Sequence, residues 1–225
     1  MATNTVCGNL VCSDGTNIPL KTEIAEGTES DLLTDSVYTV SQQNVGDYKP
    51  GGVIVAGSVV ADNGISYCYI LSQGLIAAII PIGIKGVTQE VSPLCAPYRL
   101  QAGDKVRVLT ITGAARNAAL MVYTAQGVSR IFVDTPSGAG TNELLDLQTG
   151  NKIGDTLQNQ QIVKAMGSSV DGSKIETAGF YVVDALGNVV GSVPFSNPSK
   201  NAPLFSMAYN IPVQLNFKAQ FLTNA

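Results

Sequence analysis

The sequence predicts an all-β protein, an antiparallel two-sheet β-sandwich with at most one short helix. Three observations carry this. From Phe205 to Phe221 the residues Phe205, Met207, Tyr209, Ile211, Val213, Leu215, Phe217, Ala219 and Phe221 alternate with Ser206, Ala208, Asn210, Pro212, Gln214, Asn216, Lys218 and Gln220. Apolar and mostly polar positions in strict alternation have the period of a strand with one buried face, whereas a helix would scatter them around its surface. Other apolar runs are short and are cut by glycine turns such as Asn63-Gly64, Gln73-Gly74 and Thr124–Gly127, which supply the positive φ of tight hairpins. Finally, 225 residues with 45% hydrophobic content suffice for one large sandwich or two small domains with a sizeable core.

In chain order, residues 1–50 are dominated by Thr, Ser, Asn, Asp and Glu, with short apolar pieces at Ile18–Leu20, Leu32–Leu33 and Val37–Val40. They read as an extended N-terminal arm with edge strands, or equally as the polar first third of a sandwich. A sandwich domain over 51–225 follows. Val53–Val60, the turn at Asp62-Asn63-Gly64, Ile65–Leu71, the turn at Ser72-Gln73-Gly74 and Leu75–Ile80 read as successive hairpin strands. No charge occurs between Asp62 and Lys85, so a membrane span of about 20 residues has to be weighed. Gly64, Gly74, Pro81 and Gly83 punctuate the run like turns and no basic cluster flanks it, which favours buried strands.

Val91–Pro97, with Pro93 and Pro97, reads as a loop. The turn Gln101–Asp104 leads into a strand at Lys105–Ile111. Ala118–Tyr123 and Val128–Val133 form a hairpin around Thr124–Gly127, and Asp134–Thr141 is a patternless loop,. Asp155–Met166 is the best helix candidate, with Leu157, Ile162, Val163 and Met166 roughly on one face and Asp155 and Gly167 as start and stop. A strand at Gln161–Ala165 competes with it. Lys174–Val183 and Asn188–Val193 flank a turn at Asp184–Gly187. The hairpins look alike but too loosely for a sequence repeat. The terminal stretch is about three times the usual strand length of roughly 5–6 residues, so it bends or serves two sheets, with the break at Pro212.

Only 13% of residues are charged, roughly half the usual share, which suits a subunit largely covered by copies of itself. Net charge is −4, the sequence pI is about 4.7, and Arg99, Arg107, Arg116 and Arg130 are dispersed, so no nucleic-acid binding is expected. The absence of histidine removes the commonest general base. No nucleophile-elbow, P-loop or dinucleotide motif is present. Acid pairs such as Asp31/Asp35 and Asp171/Glu176 read as turn or surface carboxylates, so no enzyme and no catalytic residue is predicted. Asp14–Asn17, Asp62–Gly64 and Asp171–Ser173 are oxygen-rich turns without the spacing of a calcium loop. Cys7, Cys12, Cys68 and Cys95 lack zinc-ligand spacing, so no metal and no cofactor is expected. The start of the chain reads as lacking a secretory signal, which makes the cysteines buried reduced thiols. Tyr67 and Tyr69 share a strand face as a sugar platform would, though core or interface packing is the commoner use.

The Gly-turned strands from Gly51 to Val133, the long loop at Pro194–Pro203 and the terminal strand Phe205–Phe221 together resemble viral jelly-roll coat and shell proteins over about three quarters of the chain. The resemblance implies a jelly-roll-like structural subunit that self-assembles into a capsid, located in the virion, with copies of itself and other shell proteins as partners. Shell proteins that package RNA often carry a basic arm, and residues 1–20 hold no cation. A β-sandwich adhesion or binding module of a fibre or surface appendage is the alternative. Of the terminal strand, Phe205–Ile211 is expected to stay within the subunit, while Val213, Leu215, Phe217 and Phe221 are the candidate subunit contact.

Overall fold

Where the chain alternates or is cut by glycine, a computed structural model holds strands. The structure describes residues 3–25, 29–34, 43–61, 64–83, 91–111, 116–134, 140–171, 178–194 and 204–223. The chain divides into two units, Met1–Thr112 and Gly113–Ala225.

The first unit contains β1 (Thr3–Cys12), β2 (Asn17–Ala25), β3 (Glu29–Thr34), the short helix α1 (Val45–Tyr48), β4 (Val53–Ala61), β5 (Gly64–Ser72), β6 (Leu75–Ile79), β7 (Ser92–Arg99) and β8 (Lys105–Ile111). All its named strand pairs are antiparallel, in the order β6-β5-β8-β3-β2-β1-β4-β7. The sheet folds over at β3: Glu29–Leu32 pairs with β8, and Leu33 and Thr34 pair with β2. Val6, Leu10, Ile18, Leu32, Ile54, Ile70, Val106 and Val108 are buried, each worth about 1.5–3 kcal/mol of hydrophobic stabilisation when large and fully covered.

The second unit contains β9 (Arg116–Thr124), β10 (Ser129–Asp134), β11 (Gly140–Asp146), α2 (Ile153–Thr156), β12 (Gln161–Asp171), β13 (Ala178–Val183), β14 (Val189–Pro194), β15 (Leu204–Pro212) and β16 (Lys218–Thr223). Its order is β14-β13-β16-β11-β10-β9-β12-β15, again antiparallel. Strand β11 makes the same fold-over, Gly140–Leu144 pairing with β16 and Leu145 and Asp146 with β10. One core draws on both layers: Leu120, Val122, Phe132, Ile162, Phe180, Ile211 and Phe221. The rings of Phe180 and Phe221 lie 4.8 Å apart and tilted, a favourable aromatic arrangement. The antiparallel two-sheet sandwich expected from the sequence is thus the fold class of the structure, with two short helices, α1 and α2, where at most one was expected.

The terminal stretch breaks at Pro212 and serves both layers, β15 pairing with β12 and β16 with β11 and β13. Several other expectations are corrected. Strand β1 is no arm, since it pairs with both β2 and β4 in the interior of its sheet. Residue 50 falls inside the first unit. The run from Val91 to Pro97 lies largely in β7, which carries Pro93 and Pro97 at the end of the strand order, where a missing N–H is tolerated. Strands β4 and β5 are not a hairpin; β4 pairs with β1 and β7, and β5 with β6 and β8. The expected helix Asp155–Met166 shrinks to α2 and gives way to β12. Asn159 at φ 64° ends the helical path, and Gln161 onward is held by pairing with β9 and β15. The apolar piece at 37–40, the turn positions 62–63 and the loop positions 135–139 lie outside the described residues.

Candidate functional site

Among the described residues, the most exposed large apolar side chain lies on the second unit, in the turn that feeds the end strand β14. Asp184 builds this turn. Its Oδ1 accepts from the Leu186 and Asn188 amides at 2.9 and 2.8 Å, and its Oδ2 accepts from Asn188 Nδ2 at 2.9 Å. These hydrogen bonds, the Asn188 side chain first, hold the Asp184 carboxyl below the usual carboxylate range,. Gly187 at φ 85° closes the turn. The turn therefore presents Leu186 on a fixed backbone, 88% exposed, with Val189 and Val190 following at 58% and 41%. Among the described residues, strand β14 is paired with β13 and ends the strand order. No charged residue occurs from Ala185 to Ser199, so β14 lacks the charges that usually guard an open strand edge.

Of the terminal residues expected at a subunit contact, three lie in the core of the second unit. Val213, Phe217 and Phe221 are buried and belong to the same cluster as Phe132 and Phe180. Leu215 is exposed, because residues 213–217 leave the strand path as a turn rather than continuing the alternation. The four positions do not form one exposed face.

In the first unit Glu29, Asp31, Lys105 and Arg107 pair with one another. Arg107 Nε donates to Asp31 Oδ1 at 2.8 Å, Lys105 Nζ to Asp31 Oδ2 at 3.0 Å, and Arg107 Nη1 to Glu29 Oε2 at 3.3 Å. Tyr69 completes the cluster through a hydroxyl donated to Glu29 Oε1. Burial alone would raise the Asp31 carboxyl, but the hydrogen bonds from Arg107 and Lys105 outweigh it and hold the group below its usual value. Tyr67 and Tyr69 lie with ring centroids 6.0 Å apart, and both are buried, which rules out an open sugar platform. Burial first, and the Glu29 carboxylate second, push both phenols up.

The Asp14 turn is likewise structural: Oδ1 accepts from the Thr16 amide at 2.9 Å and Oδ2 from Lys49 Nζ at 2.8 Å. The turns at Asp62 and Asp171 lie largely outside the described residues, as do Asp35 and Glu176. No group of three or more metal-ligating side chains occurs among the described residues. None of the four cysteines is in a disulfide, but they are not all buried as expected: Cys7 is exposed and Cys12 buried, as an odd spacing on one strand requires. Burial pushes the Cys68 thiol up. A cavity of about 10 Å³ lined by Leu120, Val122, Ile162, Phe180 and Ile211 has space for little more than a water. Among the described residues, no helix is long and apolar enough to cross a membrane. No family model, no curated protein and no solved structure matches the chain.

Sequence reasoning located the Asp184–Gly187 turn and the strand after it but missed their exposure. Edge status depends on which strands pair, and that is a non-local property.

Proposed function

We propose that the chain is a structural subunit that assembles with copies of itself into a protein shell, of which a virion capsid is the instance best suited to its composition. The observation that carries this reading is the exposed apolar run of Leu186, Val189 and Val190, on the end strand β14 of the strand order and the turn that feeds it. An unguarded strand edge offers backbone hydrogen bonds to another strand, and the apolar side chains add buried area. A turn already held by Asp184 loses little conformational freedom on contact. Low charge across the whole chain supports extensive coverage by neighbours, and the adhesion-module alternative has no comparable feature in its favour.

Size-exclusion chromatography with negative-stain microscopy tests the reading: closed shells or sheets are expected. A Val190→Lys variant places a charge on the exposed edge. It should change folding stability by no more than about 0.5 kcal/mol, as at ordinary surface sites, yet abolish assembly. A parent protein that stays monomeric at all concentrations contradicts the proposal and favours the binding-module alternative.

A further inference from the structure

The strand orders of the two units are the same order, with each strand number of the first raised by eight in the second. The correspondence reaches single hydrogen bonds. After β1, the Gly15 amide donates to Cys12 O and the Cys12 amide to Thr16 O; after β9, Gly127 donates to Thr124 O and Thr124 to Val128 O. The short helices are tied to the chain before the last strand in one pattern. Gly46 donates to Asp104 O, Gly51 to Leu100 O and Leu100 to Gly52 O; Gly154 donates to Phe217 O, Asn159 to Val213 O and Val213 to Gln160 O.

Several irregularities correspond as well, although the shifts at Ile65/Tyr67 and at Lys164/Met166 have no counterpart. A bulge falls where Cys12 faces Ile54 and Val11 faces Ala56, and again where Thr124 faces Ile162 and Tyr123 faces Lys164. Left-handed backbone occurs at Gly51 and Asn159, and at Gly103 and Asn216. A Cβ on Gly46 would lie 2.6 Å from Asp104 N, and one on Gly154 2.5 Å from Phe217 N, so each helix rests directly on backbone and needs its glycine.

A shared strand order alone can arise from the few topologies open to packed sheets. Shared bulges, left-handed positions and glycine contacts are not required by topology. We infer that the chain is one eight-stranded module used twice, a duplication fused end to end, in which the backbone lock is retained while the side chains have diverged.

The clearest divergence is chemical. Leu10 faces Ile18 and Leu20 faces Thr34, while Val122 faces Arg130 and Phe132 faces Asp146. Arg130 and Asp146 therefore stand where the first copy holds a buried isoleucine and a buried threonine. In the second copy Arg130 Nε lies 3.7 Å from Asp146 Oδ2. Asp146 Oδ1 accepts from the Gln148 and Thr149 amides and from Thr149 Oγ1.

If the framework is common, position 130 accepts isoleucine once the buried carboxylate has lost its charge. Hydrogen exchange of the full chain reads this directly. Arg130→Ile, which strands the Asp146 charge, should speed exchange across β9 and β10 by about a hundredfold, whereas Arg130→Ile/Asp146→Asn should return it to within about fivefold of the parent. Independently, Gly51→Asn and Asn159→Gly exchange residues between equivalent left-handed positions. Each should alter exchange in its own unit by less than about fivefold. A double variant no better than the single, or a first unit unfolded by Gly51→Asn, overturns the inference.

Discussion

Strands β6 and β14 occupy the same place in their units, yet they meet their surroundings differently. Ile76 on β6 is buried and Val189 on β14 is exposed, although Ile76 pairs with Leu71 just past a register shift and Val189 pairs with Val183 just past the matching one. The turns before them differ too. In the first unit Gln73 and Gly74 make a tight two-residue turn with positive φ at both positions,; in the second, Asp184 organises a longer turn that carries Leu186. The comparison separates two kinds of information. The backbone hydrogen bonds and left-handed positions around each short helix, and the bulge between the strands that precede it, are held in common. Side chains at the edges differ and carry whatever each unit does with its surface.

The largest expected effects test whether the two cores are separate. Phe221 and Val108 are both buried on the last strand of their units. Phe221→Ala should cost about 3–5 kcal/mol and Val108→Ala about 2 kcal/mol, each read by denaturant unfolding. Hydrogen exchange should place each loss in the unit that carries the change.

Next in size are the glycine contacts. Gly46→Ala and Gly154→Ala should each cost about 3 kcal/mol, the upper range for overpacking, because the added carbon meets backbone that cannot turn aside,. Similar costs at the two sites would sharpen the equivalence, and a tolerated alanine at either would break it.

A smaller effect distinguishes the charged network of the first unit. The folded-state Asp31 carboxyl is depressed, so its contribution is fully present above the unfolded-state value of about 3.9 and is lost as pH falls through the folded value. Asp31→Asn should cost about 1 kcal/mol at neutral pH, as expected for a partly exposed pair. It should also flatten the acid branch of the stability curve below about pH 4. An unchanged acid branch would mean that the network contributes nothing.

Much of the fold was legible because it is local. The Gln73-Gly74, Thr124–Gly127 and Asp184–Gly187 turns and the break at Pro212 follow from backbone chemistry that nearby residues impose. The misreadings share a non-local cause. Pro93 and Pro97 signal a loop unless β7 lies at a sheet edge. The apolar spacing of Leu157, Ile162 and Met166 suits a helix until β9 and β15 claim β12. The repeat was hidden because Gly103 is matched by Asn216, Ile18 by Arg130 and Val108 by Phe221, and because the connecting loops differ in length. Of the terminal residues expected at a subunit contact, Val213, Phe217 and Phe221 lie in the core and Leu215 is exposed, because alternation marks an apolar face without saying what covers it.

The central claim is that one locked module occurs twice, and native-state hydrogen exchange of the unaltered full chain tests it most directly. The amides of Gly46, Leu100 and Asp104 in one unit, and of Gly154, Val213 and Phe217 in the other, should all exchange slowly, because each donates within the backbone lock,. Slow exchange confined to one set, with the other exchanging like unstructured chain, would contradict the account.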